Sequence, residues 1–156
     1  EYAQLLCTSH RVLDGEEYRR LTANNRSIKA WRLPDGRETR LMKPTMQNHP
    51  SAIWSRQSDK NYVWLYTLWC ELLEEFTYRY GKTHACARLV PDLARIPDNI
   101  PKGEFTGPTR AMPDEVKIAG DSMASYRNYY INNKTHLASW QGKFNSRPVP
   151  SWFQTA

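Results

Sequence analysis

The chain has 156 residues, 40% of them apolar, with six Trp and nine Tyr. That size predicts one domain, and that composition supports a packed core instead of disorder. A net charge of +6 and a pI near 9.3 favour an anionic partner, nucleic acid first, over acid-rich or neutral assemblies.

No apolar run is long enough to cross a bilayer and no signal peptide heads the sequence, which predicts a cytoplasmic protein with no membrane contact. The sequence opens on Glu1 inside a helical pattern, so a native N-terminal segment is expected ahead of it. Cys7, Cys70 and Cys86 are odd in number and have no metal-like spacing, which reads as free thiols in a reducing compartment.

The first element is "EYAQLLCTSHRVL", a helix with Leu5, Leu6, Val12 and Leu13 at its apolar positions and Asp14-Gly15 as its stop. "IKAWRLPDGRETRLM" reads as a β-hairpin. Its residues Ile28, Ala30 and Arg32 alternate with Lys29, Trp31 and Leu33, and Pro34-Asp35-Gly36 supplies the turn. Two strands alone are marginal in water, so this hairpin needs something larger to pack on.

Ser58 to Tyr80 carries the strongest pattern. Tyr62, Leu65, Tyr66, Trp69, Leu72, Leu73, Phe76 and Tyr80 recur at helical spacing, predicting a buried central helix capped by Ser58 or Asp59 and ended by Gly81. Glu71, Glu74 and Glu75 fall on its other side as a solvated face. Pro91 to Pro113 is too rich in proline and glycine for long elements, and reads as an ordered loop anchored by Leu93, Ile96, Ile100 and Phe105. Asp121 then caps a third helix carrying Met123, Tyr126, Tyr130, Leu137 and Trp140, and an aromatic tail with Trp152 and Phe153 closes the chain. The expected fold is therefore mainly α: a compact single domain of about three main helices, a small β-hairpin and a long proline-rich loop.

The sequence has no Gly-rich phosphate loop, no CxxC pair and no HExxH. His84 and Cys86 form an HxC with no second pair at a supporting distance, so neither a metal nor a cofactor is expected. Basic residues say more. Arg11, Arg19, Arg20, Arg26, Lys29, Arg32, Arg37 and Arg40 load the first quarter, with Tyr18 and Trp31 among them, and Arg127 sits among Tyr126, Tyr129 and Tyr130. Cations set phosphate affinity and aromatics stack on bases, while the plainer reading is a solvated charged surface. His49, Arg56 and Lys60, in "NHPSAIWSRQSDK", are either a wall facing phosphates or a polar lead-in to the central helix.

Four segments in order, "KPTMQNHP", "EEFTYRYGKTH", "VPDLARIPDNI" and "VPSWF", resemble the pyrimidine-dimer DNA glycosylase (endonuclease V-like) family. "EYAQLL" and "MPDEVKIAGDSMASYRNYY" look like phage members of that group. The resemblance implies a compact, mainly helical protein that finds damaged or modified pyrimidines in double-stranded DNA, in the host cytoplasm if phage-encoded. It implies glycosylase/AP-lyase chemistry, in which an N-terminal α-amine attacks the sugar to form an imine and a glutamate moves protons.

Glu1 matches the family's catalytic glutamate, with Glu17 in "EEYRRL" as the rival. The expected DNA contacts are Arg11, His49, Arg56, Lys60, Arg127 and Trp152. Gln4 stands where the family has an arginine, and with Glu1 as catalytic glutamate the nucleophilic amine belongs upstream. The alternative is a module of the same fold that has lost catalysis and binds DNA or a host protein.

Overall fold

The computed structural model describes residues 1–153; Gln154, Thr155 and Ala156 lie outside them. In chain order the elements are α1 (Tyr2–Asp14), β1 (Glu16–Leu21), β2 (Ser27–Arg32), α2 (Arg37–Arg40), α3 (Pro50–Trp54), α4 (Asp59–Tyr80), α5 (Val90–Leu93) and α6 (Ser122–Asn133). Short 3-10 turns cover Ala85–Leu89, Asp114–Val116, Thr135–Leu137 and Ser151–Phe153.

This corrects the expected mainly α single domain of about three main helices. Six α-helices form among the described residues, and the chain divides into two compact units. The first comprises Glu1–Glu71 with Ala85–Thr106, and the second Leu72–His84 with Gly107–Ala156.

In the first unit α1 is the core element. Ala3, Leu5, Leu6 and Cys7 are buried, but so are Thr8, Ser9, His10 and Arg11, whereas Val12 and Leu13 are only half-buried. A helix enclosed on every side has no polar face to spare, so each polar side chain needs an internal partner. The Ser9 hydroxyl donates to Leu5 O and pairs with Ser55 Oγ at 3.0 Å. Around α1 lie Ala52 and Trp54 of α3, Tyr62, Leu65 and Trp69 of α4, and Leu89, Leu93 and Ile100 from the segment after α4.

The hairpin also differs from expectation. β1 and β2 pair antiparallel from Glu16↔Arg32 to Leu21↔Ser27, so the turn is Thr22–Arg26 and not Pro34-Asp35-Gly36. Asn25 supplies the left-handed residue at φ 57°, a conformation that asparagine tolerates. Pro34-Asp35-Gly36 instead starts α2, because Asp35 Oδ1 accepts the Arg37 N–H at 2.8 Å. Trp31 and Ala30 anchor the ribbon inward, and most of its other side chains are exposed.

Gly15 joins α1 to β1 at an ordinary φ of −92°, so space and not torsion selects it. A Cβ there would lie 2.4 Å from Arg11 O and 3.2 Å from Arg32 O, both backbone atoms that cannot swing aside. Gly15→Ala is expected to destabilise the first unit by about 1–3 kcal/mol, read from the midpoint of urea unfolding.

α4 runs from Asp59 to Tyr80, where Gly81 takes φ 64°. Its burial is uneven: Tyr62, Leu65 and Trp69 are buried, but Leu72 and Tyr80 are exposed. The helix therefore buries its apolar stripe only over its first half.

The second unit has a thinner core, with Met112, Val116 and Ser125 buried. Polar ties carry much of it. Asp121 caps α6 by accepting the Ala124 N–H, and Glu75 pairs with both Arg79 and Arg147. α6 stops at Asn133, so Leu137 falls in the 3-10 turn beyond it and Trp140 in the irregular chain after that turn. No helix among the described residues is long and apolar enough to cross a membrane.

Candidate nucleic-acid interface

The β1–β2 ribbon presents Arg19, Arg20, Arg26, Lys29 and Arg32 to solvent, against Glu16 and Glu17. Strand alternation sorts them. Glu17, Arg19 and Leu21 share one face with Trp31, Lys29 and Ser27, while Tyr18 and Arg20 share the other with Ala30, Ile28 and Arg32. Lys29 pairs with Glu17 at 2.9 Å, with both side chains about half exposed, which makes the pair readily exchangeable for another anion. Arg32 lies 5.2 Å over the Tyr18 ring, which holds its guanidinium against the other face.

Next to the first face is a cavity of about 510 Å³ bordered by Lys29, Trp31, Thr45, Gln47, Asn48 and His49. The loop on its far side is fixed from beneath. Thr8 of α1 accepts the Thr45 N–H at 3.1 Å, and Arg56 donates to Gln47 O at 2.8 Å. Met46, at φ 47°, turns the loop sharply, and the His49 N–H closes it on Met46 O at 2.8 Å. His49 then caps α3, its Nδ1 accepting the Ser51 N–H at 3.2 Å. That bond leaves the ring's proton on Nε2. The result is a small polar pocket floored by Trp31 and edged by side-chain donors.

Beneath the site lies a buried charge network. Arg11 is fully buried and spends every N–H: Nε on Met42 O, Nη1 on Trp31 O and Glu38, and Nη2 on Glu38 O and Leu41 O. Burial pushes the Glu38 carboxyl up, but Lys43, the Leu33 N–H and Arg11 outweigh it and hold it down at about 2. Beside it, Arg37 donates to Asp14 at 2.6 Å and to His10 Nδ1 at 3.0 Å. His10 Nε2 then donates to Tyr62 Oη at 2.8 Å, and the Tyr62 hydroxyl donates to Leu93 O at 3.0 Å. Burial, reinforced by the Arg37 charge, lowers His10 to about 4, so the ring is neutral at ordinary pH.

Each expected site residue has a definite place. Arg11 cannot meet a phosphate, because it is enclosed with no N–H to spare, a correction to its assignment as a DNA contact. Arg56 is half-buried and turned inward onto Ala52 O and Gln47 O, so it shapes the pocket wall from behind, and burial lowers its pKa. His49 borders the pocket. Lys60 is at a different surface, paired with Glu104 at 2.6 Å.

Glu1 is exposed at the head of α1 with no side-chain capping bond, and the rival Glu17 is on the ribbon. In the second unit Arg127 lies 5.6 Å over the Trp152 ring, beside a cavity of about 390 Å³. The structure thus joins Arg127 to Trp152 and His49 to the ribbon lysine's pocket, and does not gather the others around Glu1.

The ribbon cations had been visible in sequence as a basic first quarter, but the misplaced turn hid which of them share a face. The sequence pattern does not single out His10 and Asp14, although a His and an Asp four apart on a helix are placed to meet on one face. No protein-family model matches this chain, and no curated protein or solved structure matches it either.

Proposed function

We propose that the protein binds duplex DNA through the β1–β2 ribbon and the pocket beside it. The observation that carries this reading is the ribbon itself, with four exposed cations on its two strands and a fifth, Arg26, in its turn, against two carboxylates. A two-stranded ribbon fits the major groove, and cations along it replace counterions on the backbone. His49, Gln47 and Asn48 at the pocket rim offer donors and acceptors to base edges or sugar.

The chemistry proposed is glycosylase/AP-lyase action on damaged or modified pyrimidines, supported by the resemblance of the ordered segments to the pyrimidine-dimer glycosylases. An amine can form an imine at the sugar, and the exposed Glu1 carboxylate is available to move protons. A second reading, a module that binds DNA or a host protein without catalysis, is favoured by the inward use of Arg11 and Arg56, two of the cations expected at the phosphates.

Two measurements separate these readings. Replacing Arg19, Arg26 and Lys29 together by Gln is expected to flatten the salt dependence of duplex binding by up to about 2.7 in log–log slope, at ~0.9 per phosphate contact. An unchanged slope rejects the ribbon as the DNA surface. Borohydride trapping of the full-length protein on duplex DNA carrying a pyrimidine dimer is expected to give a covalent adduct. Tight binding with no adduct rejects the lyase chemistry and leaves the binding module.

A further inference from the structure

One face of α6 carries Met123, Tyr126, Arg127 and Tyr130, the i, i+3, i+4 and i+7 positions of a single stripe. In the second unit this stripe borders a cavity of about 390 Å³. Leu137 and Trp140, from the chain after α6, and Trp152 and Phe153, further on, line the rest. The volume falls within the roughly 300–1,000 Å³ usual for small-molecule sites.

The lining is held by its backbone and by ring packing. The Tyr126 hydroxyl donates to Thr109 O at 2.8 Å, which anchors α6. Arg79 donates to Ser139 O at 2.9 Å, and the Arg147 N–H donates to Trp140 O at 2.9 Å. Trp140 and Trp152 each meet the Phe153 ring at a steep angle, with centroids 4.7 and 5.6 Å away. Around these rings Met123 is 57%, Tyr130 46% and Leu137 63% exposed, apolar surface that a bound ring would cover.

Arg127 is the one charged residue of this lining, and among the described residues its guanidinium has no carboxylate partner. It lies instead 5.6 Å over the Trp152 ring. Arg79 and Arg147 of the same unit, by contrast, are both paired with Glu75. A cation with no competing acid selects an anion, and aromatic walls select a planar ring. A nucleotide joins the two.

We propose that this cavity binds one nucleotide unit, its base against the aromatic lining and its phosphate on Arg127. A free nucleotide and an unpaired residue of a single strand offer the same chemistry. The proposal does not rest on the ribbon reading, since the lining belongs to the second unit and the ribbon to the first.

Nitrogen–proton NMR of the full-length protein tests it, because each of the six tryptophans gives its own indole signal. Deoxyadenosine 5′-monophosphate is expected to shift the Trp140 and Trp152 signals, with a dissociation constant below about 1 mM, and to leave Trp31 unmoved. Deoxyadenosine, which lacks the phosphate, is expected to bind about tenfold more weakly, and Arg127→Gln to bring the nucleotide to that level. Arg127 is exposed, so the variant should fold, and the rest of its spectrum checks this. A deoxyadenosine tetranucleotide shifting the same two signals supports the proposal either way. Tighter binding than the monomer's identifies a strand as the source, and equal or weaker binding the free nucleotide. No shift of either signal up to about 10 mM nucleotide, an Arg127→Gln variant that binds it like the wild type, or benzoate binding as tightly each overturns the proposal. None of these results alters the salt dependence of duplex binding, which reads the ribbon separately.

Discussion

Replacing Arg11 by Met should lower the stability of the first unit by about 3–5 kcal/mol, the cost of breaking a buried pair by removing one partner. The reason is the acceptors left behind. Met42 O, Trp31 O, Glu38 O, Leu41 O and the Glu38 carboxylate all converge on one guanidinium, and methionine fills the volume without supplying a donor. Lys43 would still neutralise part of the Glu38 charge, which keeps the loss nearer the lower figure.

Arg11→Lys separates charge from geometry. It keeps the cation but has three donors on a flexible stem where five are used in a planar fork, so it should also be destabilising, by about 1–3 kcal/mol. Urea unfolding followed by tryptophan fluorescence reads both variants. A Lys variant as stable as the wild type would mean that charge alone matters, and the directional network would then carry little.

The second large effect is acid sensitivity. His10 sits near 4 in the folded chain against 6.5 unfolded, so the unfolded chain takes up the proton first as pH falls. The contribution to stability is therefore complete above about pH 6.5 and is lost progressively down to about pH 4, with a total loss of about 3 kcal/mol. The groups facing the ring are Arg37, Asp14, Asp98 and the Tyr62 hydroxyl. Protonation would put a proton on Nδ1 directly against the Arg37 guanidinium, while Asp14, at 3.9 Å, is already engaged by Arg37 and by the Asp98 and Asn99 N–H groups.

Asp14 adds a further loss at lower pH. Burial raises its carboxyl, but the Asn99 N–H, Arg37 and the Asp98 N–H outweigh this and hold it below the ordinary value, so its contribution disappears only under stronger acid. Urea midpoints measured across this range should fall with pH in the wild type and fall far less in His10→Gln, which has no titrating ring. Parallel curves for the two proteins would show that His10 does not set the acid response.

Long local periodicity was legible without the fold. The spacing from Tyr62 to Trp69, with Asp59 ahead and Gly81 behind, determines α4, because a continuous apolar stripe and its end signals act within a few turns. Asp121 ahead of Ser122–Asn133 determines the start of α6 in the same way. The basic character of the segment around the ribbon was equally plain, since composition does not depend on contacts.

What only the tertiary structure decided was which polar groups are inside and which turn signal prevails. "TSHR" in α1 is polar, yet Thr8 to Arg11 are fully buried because α2, α4, Ser55 at the end of α3 and the loop after α2 supply partners from far along the chain. "PDG" and "TANNR" are both competent turns, and the choice depends on where Ala30 and Trp31 must point to pack against α1 and its neighbours. A hydrogen bond to a distant residue leaves no periodic mark in the sequence. The buried arginine, the neutral histidine and the register of the ribbon were settled by those distant partners, while the helices with strong local signals were settled before any of them met.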